Sequence, residues 1–457
     1  MQEMPNDAPS QTSEKGKLLR ILGVGFGLAV VIGGTVGVGI LRNPGGVAEQ
    51  IPSVWLIMFA WTLGGVYCLL GANYLAELAT MIPKAGGYYV YAHRAFGDYG
   101  GFVVGWSDWL YQMLGLAFIA VVFGEYASGL LTPNLTGGRI IFSVAVLVVI
   151  ALVNVIGLRS GSETQKLTSV LKTVALLAFV AACFIYGGNP DSAITSDAPV
   201  ATAWTSSSVQ IIAFILAFQL ILSTYDGWHS AIYFSEEDTN PGQNIPRSMF
   251  GGIALIILIY LLVNFALLYI LPMSQLAGSK FAGGDVMNLI FGTGGGQIVT
   301  VLALLSLIGI INALLLMCPR ILLALGRDRL FAAQAATVNK GGTPVFALAI
   351  TAMAAIALSS IGSFEMLLGI SQFFAVVITI LLIVSLFILR RKEPETPRPF
   401  RAWAYPFAPL IMLIGAVALF FGYIVSNPYP SLYALAVLAV SYPVFMLIRR
   451  SNAAVKS

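Results

Sequence analysis

The chain has 457 residues, 58% of them hydrophobic and 10% charged, with a mean hydropathy of +0.88 and a formal net charge of +4. That balance excludes a soluble globular enzyme, and the recurring apolar runs of about 18 residues or more indicate a helical protein that crosses a membrane many times. Cys68, Cys183 and Cys318 all fall inside apolar runs and the two histidines, His93 and His229, stand far apart, so no disulfide framework, no metal site and no cofactor is expected.

Residues 1–17 are polar and read as a disordered cytoplasmic tail. The first span, about 18–42, lacks a small-residue cleavage site and reads as a retained helix, not a removed signal peptide. It closes on VIGGTVGVGILRN, Val31–Asn43, in which Gly33, Gly34, Gly37 and Gly39 interleave with Thr35, Val36 and Val38. Each glycine costs a helix about 1 kcal/mol relative to alanine. The segment is therefore a place where the helix opens, and opened backbone survives in a bilayer only inside protein or against a water-filled cavity. The competing reading is close packing of two helices over small residues.

The second and third spans cover about 54–82 and 99–131, with an aromatic, basic piece at 83–98 that suits the inner interface. The fourth and fifth cover about 139–157 and 162–187, followed by a polar outer loop, 188–207. The sixth, about 208–235, contains a second interruption, STYDGW, and ends at Glu236-Glu237-Asp238 with Asn240-Pro241. Spans seven to ten follow at about 248–271, 297–325, 343–361 and 364–389. A basic, proline-rich linker, 390–404, precedes two last spans within 405–448 and a cytoplasmic tail, 449–457. On this twelve-span topology nineteen basic residues lie inside and three, Arg42, Arg139 and Lys280, outside; Lys172 and Arg320 lie within spans. The asymmetry places both termini in the cytoplasm. Residues 18–187 and 208–389 then form two five-span blocks of opposite orientation, each opening with a broken helix, an arrangement that marks a transporter binding site at the two breaks.

The first break offers backbone N–H groups at Gly37, Val38 and Gly39, and the second, Ser223, Thr224, Tyr225, Asp226 and Gly227, offers freed carbonyls. Donors for a carboxylate and acceptors for an ammonium together fit a zwitterionic amino acid. Asp226 either holds the ammonium, takes part in gating or caps the second half-helix. Lys172, deep in the fifth span, is a coupling residue or a fixed cation pinning that span to the opened first helix. Asp108, Glu125, Asn264, Asn312 and Gln219 either line a path or cross-link helices, and His229 is read as structural. Glu77, Glu236 and Glu237 are candidate inner-gate partners of Arg94, Arg247 or Arg327. No GxSxG, HExxH or P-loop pattern stands in its required context, and the basic residues follow topology, so neither enzyme nor nucleic-acid binder is expected.

Five segments, in order, resemble the amino acid–polyamine–organocation (APC) superfamily, in particular bacterial permeases like the L-amino acid transporters. They are IGGTVGVGIL (32–41), GLRSGSETQKLTSVLK (157–172), YDGWHSAIYFSEEDTNPGQNIPRSM (225–249), IGIINALLLMCPRILLALGRDRLF (308–331) and RRKEPETPRPFRAWAYP (390–406). The resemblance implies an all-α, LeuT-type fold of 5+5 inverted repeats plus two helices. It implies sodium-independent exchange or proton-coupled uptake of L-amino acids in a bacterial inner membrane, with Gly37, Val38 and Gly39 at the substrate carboxylate, Ser223 and Asp226 at the amino group, and Lys172 where sodium-coupled relatives hold a cation. The chain departs from the pattern at Ser223, where many relatives carry an aromatic gate and where Tyr225 or Trp228 nearby is the substitute the resemblance suggests, and at Val38, often serine. No cysteine lies in Leu131–Arg139, so the heavy subunit of the animal light chains is not expected. A polyamine carrier and a non-transporting amino acid sensor are the alternative readings.

Overall fold

The computed structural model describes residues 18–188, 190–195 and 207–454. The expected tail at 1–17, most of the 188–207 loop and the last three residues lie outside the described residues. Among those described, helix dominates, and a single parallel bridge, Leu22 with Asp238, stands outside it.

The first apolar run forms two helices, α1 (Val24–Thr35) and α2 (Gly39–Gln50), bent by 44° where the glycines cluster. A straight run follows in α3 (Val54–Met81). In α4 (Tyr88–Leu131) the aromatic, basic piece is itself helical and joins the span through Gly97, whose φ of 79° no ordinary residue adopts comfortably. The chain continues through α5 (Gly138–Ile156) and α6 (Leu158–Tyr186). The second interrupted span is α7 (Ser207–Tyr225), an irregular turn, and a 3₁₀ turn at Ser230–Phe234. After α8 (Pro241–Ile270) come short α9 (Met273–Ala277) and α10 (Ala282–Phe291), then α11 (Gly295–Arg327), α12 (Val345–Ile361), α13 (Phe364–Lys392), α14 (Phe407–Ser426) and α15 (Pro428–Ala454). The last helix runs past the expected end of its span near residue 448.

Ten of these segments are long and apolar enough to cross a membrane, and the bent pair α1–α2 makes an eleventh. The 17-residue apolar α12 is shorter, about 25 Å at 1.5 Å per residue. The protein is thus an all-helical, multi-pass membrane protein. Lipid has no need of polar cover, and α5 and α6 accordingly show Leu152, Ile156, Val170 and Val174 on their outer faces, as α14 and α15 show Ile414, Phe421 and Leu432. The interior belongs to α11, to the broken helices and to the central part of α4. Helix α1 packs on α6, α8 and α11; α7 packs on α2 and α3; α4 runs along α11 and α13.

Candidate functional site

The first break is held open by groups from other helices. Regular hydrogen bonding ends with Val36 N–H on Ile32 O at 2.8 Å, and Val36 itself is extended (φ −73°, ψ 108°). Lys172 of α6 is 1% exposed and aims its ammonium at the end of α1, donating to Gly33 O at 2.5 Å and Val36 O at 2.6 Å. A cation at a helix C-terminus satisfies orphan carbonyls and the dipole together. One turn earlier Ser169 donates to Ala29 O at 2.7 Å. A side chain at Gly33 would overlap both Ser169 and the Gln165 amide, so glycine there is required by this close approach. Helix α2 then starts at Gly39 with no capping side chain at Val38, so its first N–H groups face the space in front of it.

The second break meets the first backbone to backbone. Gly227 has φ +106°, and a Cβ there would come within 2.5 Å of Gly34 O. The Asp226 carboxylate accepts the Gly227 N–H at 2.9 Å, the Tyr111 hydroxyl, and Gln372 Nε2 at 3.3 Å. Asp226 therefore stabilises its own turn while a quarter of its side chain stays exposed. The Tyr260 hydroxyl of α8 lies 3.0 Å from Thr35 O and 2.9 Å from Thr224 O, so one proton serves the carbonyl ends of both half-helices. Asn43 of α2 donates to Thr224 Oγ1 at 2.7 Å and ties the second half of one broken helix to the first half of the other.

Between the breaks lies a cavity open to solvent. Of the residues expected there from sequence, Thr35, Gly37, Val38, Gly39, Ser223, Thr224, Asp226 and Gly227 line it. Val36 and Tyr225 do not, and the coupling and gating candidates Lys172 and Trp228 lie off this wall. Val36 is buried with its carbonyl on Lys172. Tyr225 is 1% exposed, donates to Trp61 O at 3.1 Å and packs against Tyr260. Trp228 faces a neighbouring cavity beside Tyr67, Met412 and Tyr423, which shares Tyr111, Asp226 and His229 with the first. In the α1–α2 break Val36 alone turns away, its extended backbone pointing its side chain opposite to its neighbours.

Sequence reasoning missed several wall residues. Tyr111, Gln112 and Phe118 come from α4, Ile310 from α11, and Phe364 from α13. Phe118 and Phe364 stand edge to face at 5.6 Å, and the Arg42 guanidinium lies 4.7 Å over the Phe364 ring. This aromatic pair forms part of the cavity wall, whereas Ser223 turns its hydroxyl to Leu220 O at 2.8 Å. The remote origin of these rings, about 80 residues or more from either break, left no local signal.

At the opposite end the molecule is sealed. Arg320 donates twice to Glu237, at 2.5 and 2.7 Å, and its guanidinium lies 4.5 Å over Phe234. Glu236 pairs with Arg327 at 2.8 Å. Leu22 N–H donates to Glu237 O at 2.9 Å, Thr239 N–H to Leu22 O at 2.8 Å, and Arg20 to Asp238 O at 2.8 Å. Of the anticipated gate pairs only Glu236 with Arg327 forms. Glu77 pairs instead with Arg390 and Arg398, at 2.5 and 3.1 Å, and Arg94 with Glu393 at 2.8 Å, because the 390–404 linker folds back under α3 and α4.

Two interrupted membrane helices that meet at their breaks, a polar-ended cavity between them and a charged seal on one face define a carrier for small molecules. The Amino acid permease family matches residues 27–442, and the chain belongs to that family. It is 30% identical to the Serine/threonine exchanger SteT of Bacillus subtilis (strain 168) over 409 residues, 88% of this chain and 91% of that protein. It is 28% identical to the human Asc-type amino acid transporter 1 over 95% of this chain and 83% of that protein. For the human b(0,+)-type amino acid transporter 1 the figures are 26%, 92% and 85%.

Proposed function

We propose that the chain is a sodium-independent carrier of neutral L-amino acids, working by alternating access in a bacterial inner membrane with both termini in the cytoplasm and twelve crossings, α12 included. The observation that carries this reading is the uncapped start of α2 opposite the end of α7, across one cavity. The α-carboxylate rests on the N–H groups of Gly37, Val38 and Gly39. The ammonium rests at the α7 end, near Ser223 and Asp226. The side chain points at Phe118, Ile119, Ile310 and Leu314, an apolar wall that favours neutral substrates. The names of the relatives, a serine/threonine exchanger among them, support amino acids as the substrate class. Lys172 supplies from within the chain the positive charge that a sodium ion would bring to the end of α1, which favours sodium independence. With the seal of Arg320, Glu236 and Glu237 formed, the cavity communicates with the outer side.

Asp226 is engaged by Tyr111 and Gly227, which weighs against a polyamine site built on that carboxylate. The test is counterflow of each labelled amino acid in proteoliposomes, with and without sodium. Exchange of small neutral amino acids without sodium is the expected result; failure of every amino acid to exchange would overturn it.

A further inference from the structure

Behind the cavity wall, α4 carries a carboxylate that the proposed binding site does not use. Asp108 has no exposed surface. Its Oδ1 accepts the Tyr233 hydroxyl at 2.7 Å, while its Oδ2 accepts no hydrogen bond among the described residues. The titratable groups nearest it are Tyr88, Tyr91 and Tyr111 of α4, Tyr233 of the 3₁₀ turn and Cys318 of α11; none is a cation. Arg320, two residues past Cys318, is committed to Glu237. The other helices packed on α4 add nothing charged at this level: α12 and the 366–389 stretch of α13 hold no titratable residue, α5 holds only Arg139 at its start, and α15 meets α4 through Tyr442 on Tyr99. An ion buried with no counter-charge and one free oxygen is expensive, and a proton removes that expense.

Asp108 is wired to the cavity. Tyr233 accepts from Gln112 Nε2 at 3.0 Å, and the same Nε2 lies 3.1 Å from His229 Nε2. His229 in turn places Nδ1 3.9 Å from Asp226 Oδ1. In this order Gln112 gives one amide hydrogen to Tyr233 and the other to His229, and Tyr233 gives its own to Asp108. His229 then carries its hydrogen on Nδ1, facing Asp226. A protonated Asp108 that turns its O–H to the Tyr233 oxygen reverses every link. The acid donates to the Tyr233 oxygen, the Tyr233 hydrogen turns to Gln112, and Gln112 must present Oε1 by a flip of its amide. His229 must then donate from Nε2, and the neutral ring turns a lone pair instead of an N–H dipole toward Asp226, 3.9 Å away.

We propose that Asp108 is a proton-binding site whose occupancy is passed through Tyr233, Gln112 and His229 to Asp226, so that proton binding and amino acid binding are linked. The step is a simple protonation: hydronium gives its proton to a carboxylate oxygen, one O–H bond forms as another breaks, and water is released. The proposal rests on the carrier reading above. Asp108 is a positioning residue; it acts on the substrate only through Asp226.

Linkage is reciprocal, so two readouts test it. In proteoliposomes, the apparent KM for counterflow of the best substrate should change about fivefold or more between about pH 5.5 and about pH 8, the range of coupling typical of linked sites. With purified protein in weakly buffered detergent solution, adding that substrate should shift a pH-indicator dye. Asp108→Asn keeps the size and a hydrogen-bonding end group without the charge; it should still exchange, with KM flat across that range and no dye response. Tyr233→Phe cuts the chain and leaves Asp108 in place; it should lose the same two responses. A wild type that exchanges with KM indifferent to pH overturns the proposal and leaves the carrier reading standing. So does either variant exchanging with the wild-type pH profile and dye response. If Asp108→Asn fails to fold, Tyr233→Phe decides by the same two readouts.

Discussion

Arg320 and Glu237, 83 residues apart in sequence, form a two-point ion pair in which neither side chain is more than 3% exposed. Removing one partner leaves the other charged and buried, at a cost of about 3–5 kcal/mol. Arg320→Ala should therefore lower the unfolding temperature and reduce exchange at least about tenfold. Replacing both residues with apolar ones of similar size should restore thermal stability, since a buried pair is often no better than well-packed hydrocarbon. Exchange should stay low in the double variant, because a seal that opens needs a contact that water can replace. Differential scanning fluorimetry beside counterflow checks both halves; a double variant that transports normally would show that the pair is structural only.

Lys172→Met removes the two hydrogen bonds to Gly33 O and Val36 O while keeping most of the side-chain volume. Each stranded carbonyl costs about 1–3 kcal/mol. The end of α1 then has neither a donor nor a positive charge, and exchange should fall by about tenfold or more. Size-exclusion chromatography separates this from misfolding; wild-type counterflow in a monodisperse variant would remove Lys172 from the mechanism.

Gly37 and Gly227 should respond differently to alanine. At Gly37 the added methyl meets the Ile310 side chain, whose tip can move, so the fold should survive while substrate affinity falls several-fold. Ile310→Ala added to Gly37→Ala should recover part of that affinity. At Gly227 the backbone has positive φ and the methyl meets Gly34 O at 2.5 Å, so Gly227→Ala should cost about 2 kcal/mol or more and weaken the contact between the breaks. Isothermal titration with the best substrate and thermal melts check the pair; equal stability losses at the two positions would contradict it.

Tyr260→Phe leaves Thr35 O and Thr224 O without their shared donor. A loss of about 1–3 kcal/mol in stability is expected, with exchange impaired beyond that loss because both half-helices lose their common anchor. Chemical denaturation followed by tryptophan fluorescence, with counterflow alongside, measures the two effects.

Glu393 is partly exposed and sits beside Arg94, whose hydrogen bonds hold its carboxyl below the ordinary 4.5. A depressed carboxyl contributes stability above its unfolded value and loses it as pH falls through the folded one. Arg94→Gln should thus cost less than about 1 kcal/mol near neutrality, and nothing at pH low enough to protonate Glu393. Melts at neutral and acid pH check this, and a loss comparable to that of Arg320→Ala would contradict it.

Both helix breaks were legible in the sequence because glycine and β-branched residues inside an apolar run, and Asp-Gly in another, work locally against helix. Lys172 was legible because a charge surrounded by hydrocarbon has few reasons to be there. What stayed hidden depended on distant segments. Tyr111 and Tyr260 read as packing aromatics until α4 and α8 bring their hydroxyls to Asp226 and to the two carbonyls. Glu77 was expected with Arg94, Arg247 or Arg327, yet the linker carries Arg390 and Arg398 to it. Tyr225 and Trp228 stand in the right segment but on the wrong side, since side-chain direction within a turn follows its backbone angles and not the helical period.

The parallel bridge between Leu22 and the Asp238 segment fastens the sealed face through main-chain groups. Thr239 is exposed, and what it contributes is its N–H on Leu22 O. Position 239 should therefore accept almost any amino acid except proline, which has no hydrogen to offer. A saturation library scored for uptake would look neutral there apart from that one replacement, and a survey by alanine alone would pass over the latch.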